Sequence, residues 1–143
     1  MDSRSFITMT YALVDTAART MRYARAGHNP MIHMEASTGR TRVLTPQGIG
    51  LGIDRGARFD EILEEAEVPL RSGDVFLFFT DGLSEAMNAR SELFGERRLR
   101  DVVEKSEGLE SELLKEKILA EIRGFVGDAA QHDDMTMVIL KVA

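Results

Sequence analysis

The sequence predicts an α+β domain built on antiparallel strands, with its helices late in the chain. Segments rich in β-branched and aromatic residues alternate with short polar turns through the first half. A helical period appears only in the second half, and the last segment is again typical of a strand. The 143 residues, 43% of them apolar, are enough for one core, so we expect a single domain over residues 1–143.

The first four strands are predicted as two hairpins. Phe6–Val14 and Met21–Ala26 flank the polar turn "DTAART". Met31–Glu35 and Thr41–Leu44 flank "STGR", in which Gly39 supplies the turn. Both pairs are therefore expected to be antiparallel.

A glycine-rich loop, Thr45–Gly56, comes next. Its "GIGLG" lacks the Lys-Ser/Thr of a phosphate-binding P-loop, which argues against a nucleotide site. Arg58–Leu70 is ambiguous, because it contains helix-forming residues without a clear helical period. We favour a strand there, with Ala66 and Val68 on its inner face, at the edge of a sheet.

The second half contains the clearest elements. The run Val75–Phe79 is apolar throughout and is typical of a strand buried on both faces. Arg97–Lys105 and Leu109–Val126 are predicted helices. Met135–Val142 is predicted as the final strand.

Composition excludes several classes of protein. There is no cysteine, so neither a disulfide framework nor a thiolate metal site is available. No apolar run reaches the roughly 18 residues that a membrane span needs, and no signal peptide opens the chain. The net charge of −6 argues against nucleic-acid binding. We therefore expect a cytoplasmic protein.

Acidic residues stand at one end of each of the two most apolar strands. Asp81 follows Val75–Phe79, while Asp133 and Asp134 precede the final strand. If these strands are antiparallel neighbours, the three carboxylates lie close together and repel one another. A solvated turn, a basic side chain or a hard cation such as Mg²⁺ or Mn²⁺ could each relieve that repulsion.

Four motifs occur in an order that resembles a known family. They are "AGHNP" (Ala26–Pro30), "LRSGDVFLFFTDGLSEAMN" (Leu70–Asn88), "LFG" (Leu93–Gly95) and "HDDMTMVIL" (His132–Leu140). The chain resembles bacterial PP2C-like serine/threonine phosphatases of the SpoIIE/RsbU type. The resemblance implies an αββα sandwich with two Mg²⁺ or Mn²⁺ ions and a metal-activated water that attacks phosphorus. It also implies a phosphoprotein substrate, an anti-anti-sigma factor, and an upstream sensor or receiver domain.

The resemblance also implies roles for individual residues. Asp81 and Asp133 would bind one metal ion and so form the catalytic centre, and Asp134 would support that ion or bind it. Gly82 would let the chain turn tightly beside the metal.

The three histidines and Asn29 are expected to have less specific roles than the aspartates. His28 and Asn29 of "AGHNP" would lie at the rim of the active site, where they orient phosphate or water or make structural hydrogen bonds. His33 is expected to be a surface residue or a hydrogen-bonded core residue. His132 would neighbour the site without binding metal.

One family motif has no match, an N-terminal Gly-Asp whose carboxylate bridges the two metals. The dipeptides Gly73–Asp74 and Gly127–Asp128 both come after "AGHNP", so neither corresponds to that N-terminal motif. We therefore expect a C-terminal part of the domain that binds metal weakly and is inactive alone.

The absent strands would leave "FITMTYALV" exposed, which predicts a homo-oligomer. A non-catalytic PP2C-like binding or scaffold module is the alternative function.

Overall fold

The structure is a computed structural model that describes residues 5–54, 57–131 and 133–143. The predictions made for Gly56 and His132 lie outside these residues. Two compact units divide the chain, and each is described by itself. The elements, in chain order, are β1 Met9–Asp15, β2 Thr20–Ala26, β3 Met31–Glu35, β4 Arg40–Leu44, α1 Arg58–Ile62, β5 Glu65–Pro69, β6 Val75–Phe79, α2 Asp81–Ser84, α3 Gly95–Glu104, α4 Ser111–Val126 and β7 Met137–Lys141.

The first unit, drawn from residues 1–30 and 44–70, contains a sheet of order β1-β2-β5. The predicted hairpin of β1 and β2 is confirmed, with Asp15 opposite Thr20 at the turn. The Asp15 carboxylate accepts hydrogen bonds from two backbone amides of that turn, those of Ala17 and Ala18. Val68 on β5 is buried while its neighbour Glu67 is exposed, as expected for an edge strand.

The strand predicted over Arg58–Leu70 is wrong in its first half. Residues 58–62 form the short helix α1, closed by a hydrogen bond from the Leu63 amide to the Phe59 carbonyl. Glu64 then ends the turn, because its amide donates to the Gln47 carbonyl and its carboxylate accepts from the Gln47 amide, both at 2.9 Å. The helix-forming residues before Glu64 thus form a turn, and the alternating residues after it form β5.

The second unit, residues 31–43 and 71–143, has a sheet of order β4-β3-β6-β7. Gly39 makes the predicted β3–β4 turn, with φ of 64° and an amide bonded to the Glu35 carbonyl. The antiparallel strand β6 lies between β3 and β7 with four of its five residues buried, which confirms the predicted strand buried on both faces. One face of this sheet, which includes Leu77, forms the core with apolar residues of the helices, among them Leu83, Leu99, Leu114 and Ile118.

The predicted α+β class with antiparallel sheets is confirmed. Both predicted helices are present as α3 and α4, within two residues of the expected bounds. In the part of the chain that the structure describes, no helix has the length and apolar character that crossing a bilayer requires. A single domain over residues 1–143 stays a prediction.

Candidate active site

The end of β6 and the start of β7 are held side by side by the two threonines next to them. The last strand pair is Phe79 with Met137. Beyond it, the Thr80 amide donates to the Thr136 carbonyl at 3.0 Å, and the Thr136 amide donates to the Thr80 hydroxyl oxygen at 3.1 Å. The same hydroxyl donates to the Asp134 carbonyl at 3.2 Å. The predicted adjacency of the two acidic motifs is therefore confirmed at the backbone.

Gly82 lies directly against this junction. A β-carbon at Gly82 would stand 2.2 Å from the Asp134 carbonyl oxygen, closer than any real contact. Its φ is not among the positive values, so the close approach to Asp134 is what requires a glycine here, and a tight turn beside a metal stays a prediction. Any side chain here would push the Asp133–Asp134 segment away from α2.

Asp81 is the first residue of α2 and is exposed. Its carbonyl, but not its carboxylate, is used locally, accepting from the Glu85 amide at 2.7 Å. Because no described residue forms a hydrogen bond or ion pair with the Asp81 carboxylate, that group is available to a ligand.

Asp133 and Asp134 are exposed as well. The Asp133 carboxylate accepts a hydrogen bond from the Asp134 amide at 2.7 Å, and its carbonyl accepts from the Gln131 side chain at 2.8 Å. The first bond holds the Asp133 carboxylate beside the backbone of the next residue, and the second holds the Asp133 backbone.

The carboxylates of these three aspartates are of the chemical type that binds a hard divalent cation. Across the described ranges, no lysine or arginine forms an ion pair with Asp81, Asp133 or Asp134. Exposed carboxylate oxygens without cationic partners are the ligands that Mg²⁺ and Mn²⁺ prefer. Within the same ranges, no three acidic or histidine side chains converge as a metal site. Metal binding by these three aspartates stays a prediction.

The "AGHNP" segment belongs to the first unit and is held there by backbone contacts. A β-carbon on Gly27, whose φ is 66°, would stand 2.7 Å from the Gly50 amide, so the two glycine-containing loops approach closely. His28 Nδ1 lies 3.2 Å from the Thr8 hydroxyl, and its carbonyl accepts from Arg25 at 2.7 Å. His28 therefore makes structural hydrogen bonds, and a rim role for His28 and Asn29 stays a prediction.

Thr80 is the site residue that the sequence analysis missed. Its hydroxyl accepts one backbone hydrogen bond and donates another, and so ties together the two segments that carry the aspartates. A threonine directly before the Asp-Gly, matched by Thr136 directly before β7, is the signal that could have identified it.

The chain is similar in sequence to known proteins. The family described as Stage II sporulation protein E (SpoIIE) matches residues 1–143. Protein IcfG of Synechocystis sp. is 26% identical over 137 residues, which are 96% of this chain and 21% of IcfG.

Two solved structures are similar in fold. The SiaA-PP2C domain of Pseudomonas aeruginosa has a TM-score of 0.77 at 23% identity, over 94% of this chain and 51% of that one. The phosphatase domain of SpoIIE from Bacillus subtilis, presoaked with Mn, has a TM-score of 0.64 at 17% identity, over 94% of this chain and 56% of that one. The chain thus spans about half of each phosphatase domain. The chain has the fold of these PP2C phosphatase domains, and it belongs to the SpoIIE family.

Proposed function

We propose that the protein containing this chain is a metal-dependent phosphatase that hydrolyses phosphoserine or phosphothreonine on another protein. The observation that carries the proposal is the junction of Thr80, Gly82 and Asp134. It places one carboxylate motif beside another at the same end of the sheet, in a member of the SpoIIE family.

Asp81 and Asp133 would hold the metal ion, and Asp134 would support it. Mn²⁺ or Mg²⁺ suits these oxygen donors, and the Mn-presoaked SpoIIE structure supports the choice. When bound, such an ion activates a water molecule and neutralises charge on the phosphoryl oxygens. The complete domain would hold two ions.

The chain's own residues position the donors. The Asp134 amide orients the Asp133 carboxylate, and Thr80 fixes the segment that carries Asp81. All three carboxylates are exposed, so a phosphoserine presented on the surface of a folded protein could reach them. An anti-anti-sigma factor is the proposed substrate, regulated through a sensor or receiver domain of the same protein.

The isolated chain should be a poor enzyme. Its described residues bring no three metal-binding side chains together, so we expect divalent cations to bind with millimolar affinity and turnover to be slow. A non-catalytic binding module remains the second candidate function, since the same surface could hold a partner without hydrolysing it.

Phosphatase assays on the whole protein separate these two functions. With Mn²⁺ and a phosphoserine peptide, Asp81→Asn or Asp133→Asn should each lower kcat/KM by about 100-fold or more, because each removes a metal ligand. Asp101→Asn, an exposed carboxylate on α3, is the matched control and should retain activity. A wild-type protein without Mn²⁺-dependent hydrolysis would leave the binding module as the better description.

We further propose that the chain self-associates through β1. This strand lies at the edge of its sheet, and Met9, Tyr11 and Leu13, which share one face, are 43%, 62% and 46% exposed. An exposed apolar edge strand with one charged residue is suited to pairing with another chain.

Light scattering after size exclusion tests the association. Tyr11→Lys should shift the isolated chain toward monomer, whereas Leu113→Lys, at an equally exposed residue on α4, should not. A wild-type chain that is already monomeric at high micromolar concentration would contradict the proposal.

A further inference from the structure

A groove of about 720 Å³ lies in the second unit, beside the candidate active site. Met87, Leu93, Asp133, and Leu119 and Val126 of α4 are among the residues that line it. This volume is within the usual range for ligand sites and far exceeds one apolar side chain. The groove is therefore continuous with the residues proposed to bind metal.

The side of the groove formed by residues 87–93 is held in a fixed shape. Met87 and Leu93 form an antiparallel bridge, and the Phe94 amide bonds the Ala86 carbonyl at 2.8 Å. The Asn88 side chain accepts from the Arg90 and Glu92 amides at 2.9 and 3.0 Å. Leu93 is nevertheless 46% exposed. A leucine held at a rim in this way is suited to contact a partner rather than to fill the core.

The charges around the groove are unbalanced. Among the described residues that line it are three acidic ones, Glu85, Asp133 and Asp134, and one cationic one, Arg123. If Asp133 is neutralised by a metal ion, two carboxylates still face one cation. Charge complementarity therefore favours a basic side chain in whatever occupies the groove.

We propose that this groove binds the segment of the protein substrate next to its phosphoserine, through one apolar side chain and an adjacent lysine or arginine. The inference rests on the proposed function, since it places a substrate segment beside the metal-binding aspartates. Because Asp133 and Leu93 line the same groove, a substrate segment that continues from a phosphoserine at Asp133 would lie along the groove toward Leu93. The groove would thus select among phosphoproteins by sequence.

Binding of unphosphorylated peptides tests the groove without requiring hydrolysis. The probes are two fluorescein-labelled alanine-based peptides with a central serine, carrying Leu-Lys or Ser-Glu within four residues on both sides. By fluorescence anisotropy with the whole protein, the Leu-Lys peptide should bind about tenfold more tightly, which corresponds to about 1.4 kcal/mol. Leu93→Ser should reduce that preference to about twofold or less.

Leu113→Ser is the control variant. Leu113 lies on the same helix as Leu119 and Val126, is 57% exposed and is not part of the groove, so its replacement should leave the preference unchanged. Circular dichroism would verify that both variants fold. Equal affinity for the two peptides, no binding of either up to millimolar concentration, or equal effects of the two substitutions would overturn the proposal. A protein that prefers Leu-Lys but hydrolyses no phosphopeptide would refute the phosphatase function and not the groove.

Discussion

A β-carbon placed on Gly82 would lie 2.2 Å from the carbonyl oxygen of Asp134. The segment that carries Asp81 and the segment that carries Asp133 are therefore in contact through their backbones. An acidic motif that follows one strand and another that precedes its antiparallel neighbour must meet at the same end of the sheet. The glycine makes that meeting close enough for both motifs to serve one site.

Gly82→Ala should displace the Asp133–Asp134 segment. We expect Mn²⁺-dependent activity of the whole protein to fall about tenfold to 100-fold, because catalysis is sensitive to shifts of about an ångström. Unfolding by urea should show a loss of about 1–2 kcal/mol.

Gly124→Ala is the matched control. Gly124 also lies in a helix, but a β-carbon there meets nothing within 4 Å, so the substitution should raise stability by about 0.5–1 kcal/mol. The same stability change in both variants would show that the close approach of Asp134 does not prevent a side chain at position 82.

His33 and Asp74 form a buried pair that predicts a pH dependence of stability. Both side chains are 2% exposed, and His33 Nε2 donates to the Asp74 carboxylate at 2.9 Å. Arg42 Nε donates to His33 Nδ1 at 3.1 Å and also pairs with Glu35, so the imidazole is neutral, with its proton on Nε2. Burial lowers the pKa of His33, and this outweighs the opposing effect of Asp74. Of the two alternatives predicted for His33, a surface residue or a hydrogen-bonded core residue, the structure shows the second.

The unfolded chain therefore binds a proton at His33 at higher pH than the folded chain does. Stability should be full above the ordinary histidine pKa of about 6.5 and should fall as pH drops below it, by up to about 1.4 kcal/mol per pH unit. Urea unfolding from pH 7.5 to 5.5 measures this slope, and His33→Gln should reduce it. An unchanged slope in His33→Gln would assign the pH dependence to other groups.

Glu104 of α3 stabilises the edge strand β4. Its carboxylate accepts from the Thr41 amide at 2.8 Å and the Thr41 hydroxyl at 2.7 Å, and these bonds lower the pKa of Glu104. The carboxylate contributes stability above the ordinary glutamate pKa of about 4.3 and loses it as pH falls through the lowered value.

Glu104→Ala should therefore lower the free energy of unfolding at pH 7 by about 1–2 kcal/mol, measured in urea. Glu121→Ala, at an exposed glutamate of α4, is the control and should change it by less than about 0.5 kcal/mol. Similar losses in the two variants would mean that the Thr41 contacts contribute nothing beyond an ordinary helix glutamate.

The elements that local pattern determines were predicted best. The continuous apolar run of β6 predicts a central strand because both of its faces are buried, and the structure confirms this. The helix α1 was missed because five residues give too short a window for a helical period, and because Glu64 ends the turn through a contact with the distant Gln47.

The sequence indicated which residues form the candidate site, but it did not indicate the contacts that hold them together. The acidic motifs beside two apolar strands are visible in the sequence, and their adjacency follows from strand order. The Gly82–Asp134 approach and the role of Thr80 depend on the pairing of residues more than 50 positions apart, which no local pattern encodes. The groove beside Leu93 likewise exists only once α4 packs against the sheet.

Paramagnetic broadening by Mn²⁺ tests the proposed metal site most directly, because it locates even a weakly bound ion. In two-dimensional amide NMR spectra of this chain, the first signals to broaden should be those of residues 80–82 and 133–136. Asp81→Asn and Asp133→Asn should each weaken that broadening, while Asp101→Asn should leave it unchanged. Broadening centred elsewhere, or unaffected by the first two substitutions, would contradict a metal site at the junction of β6 and β7.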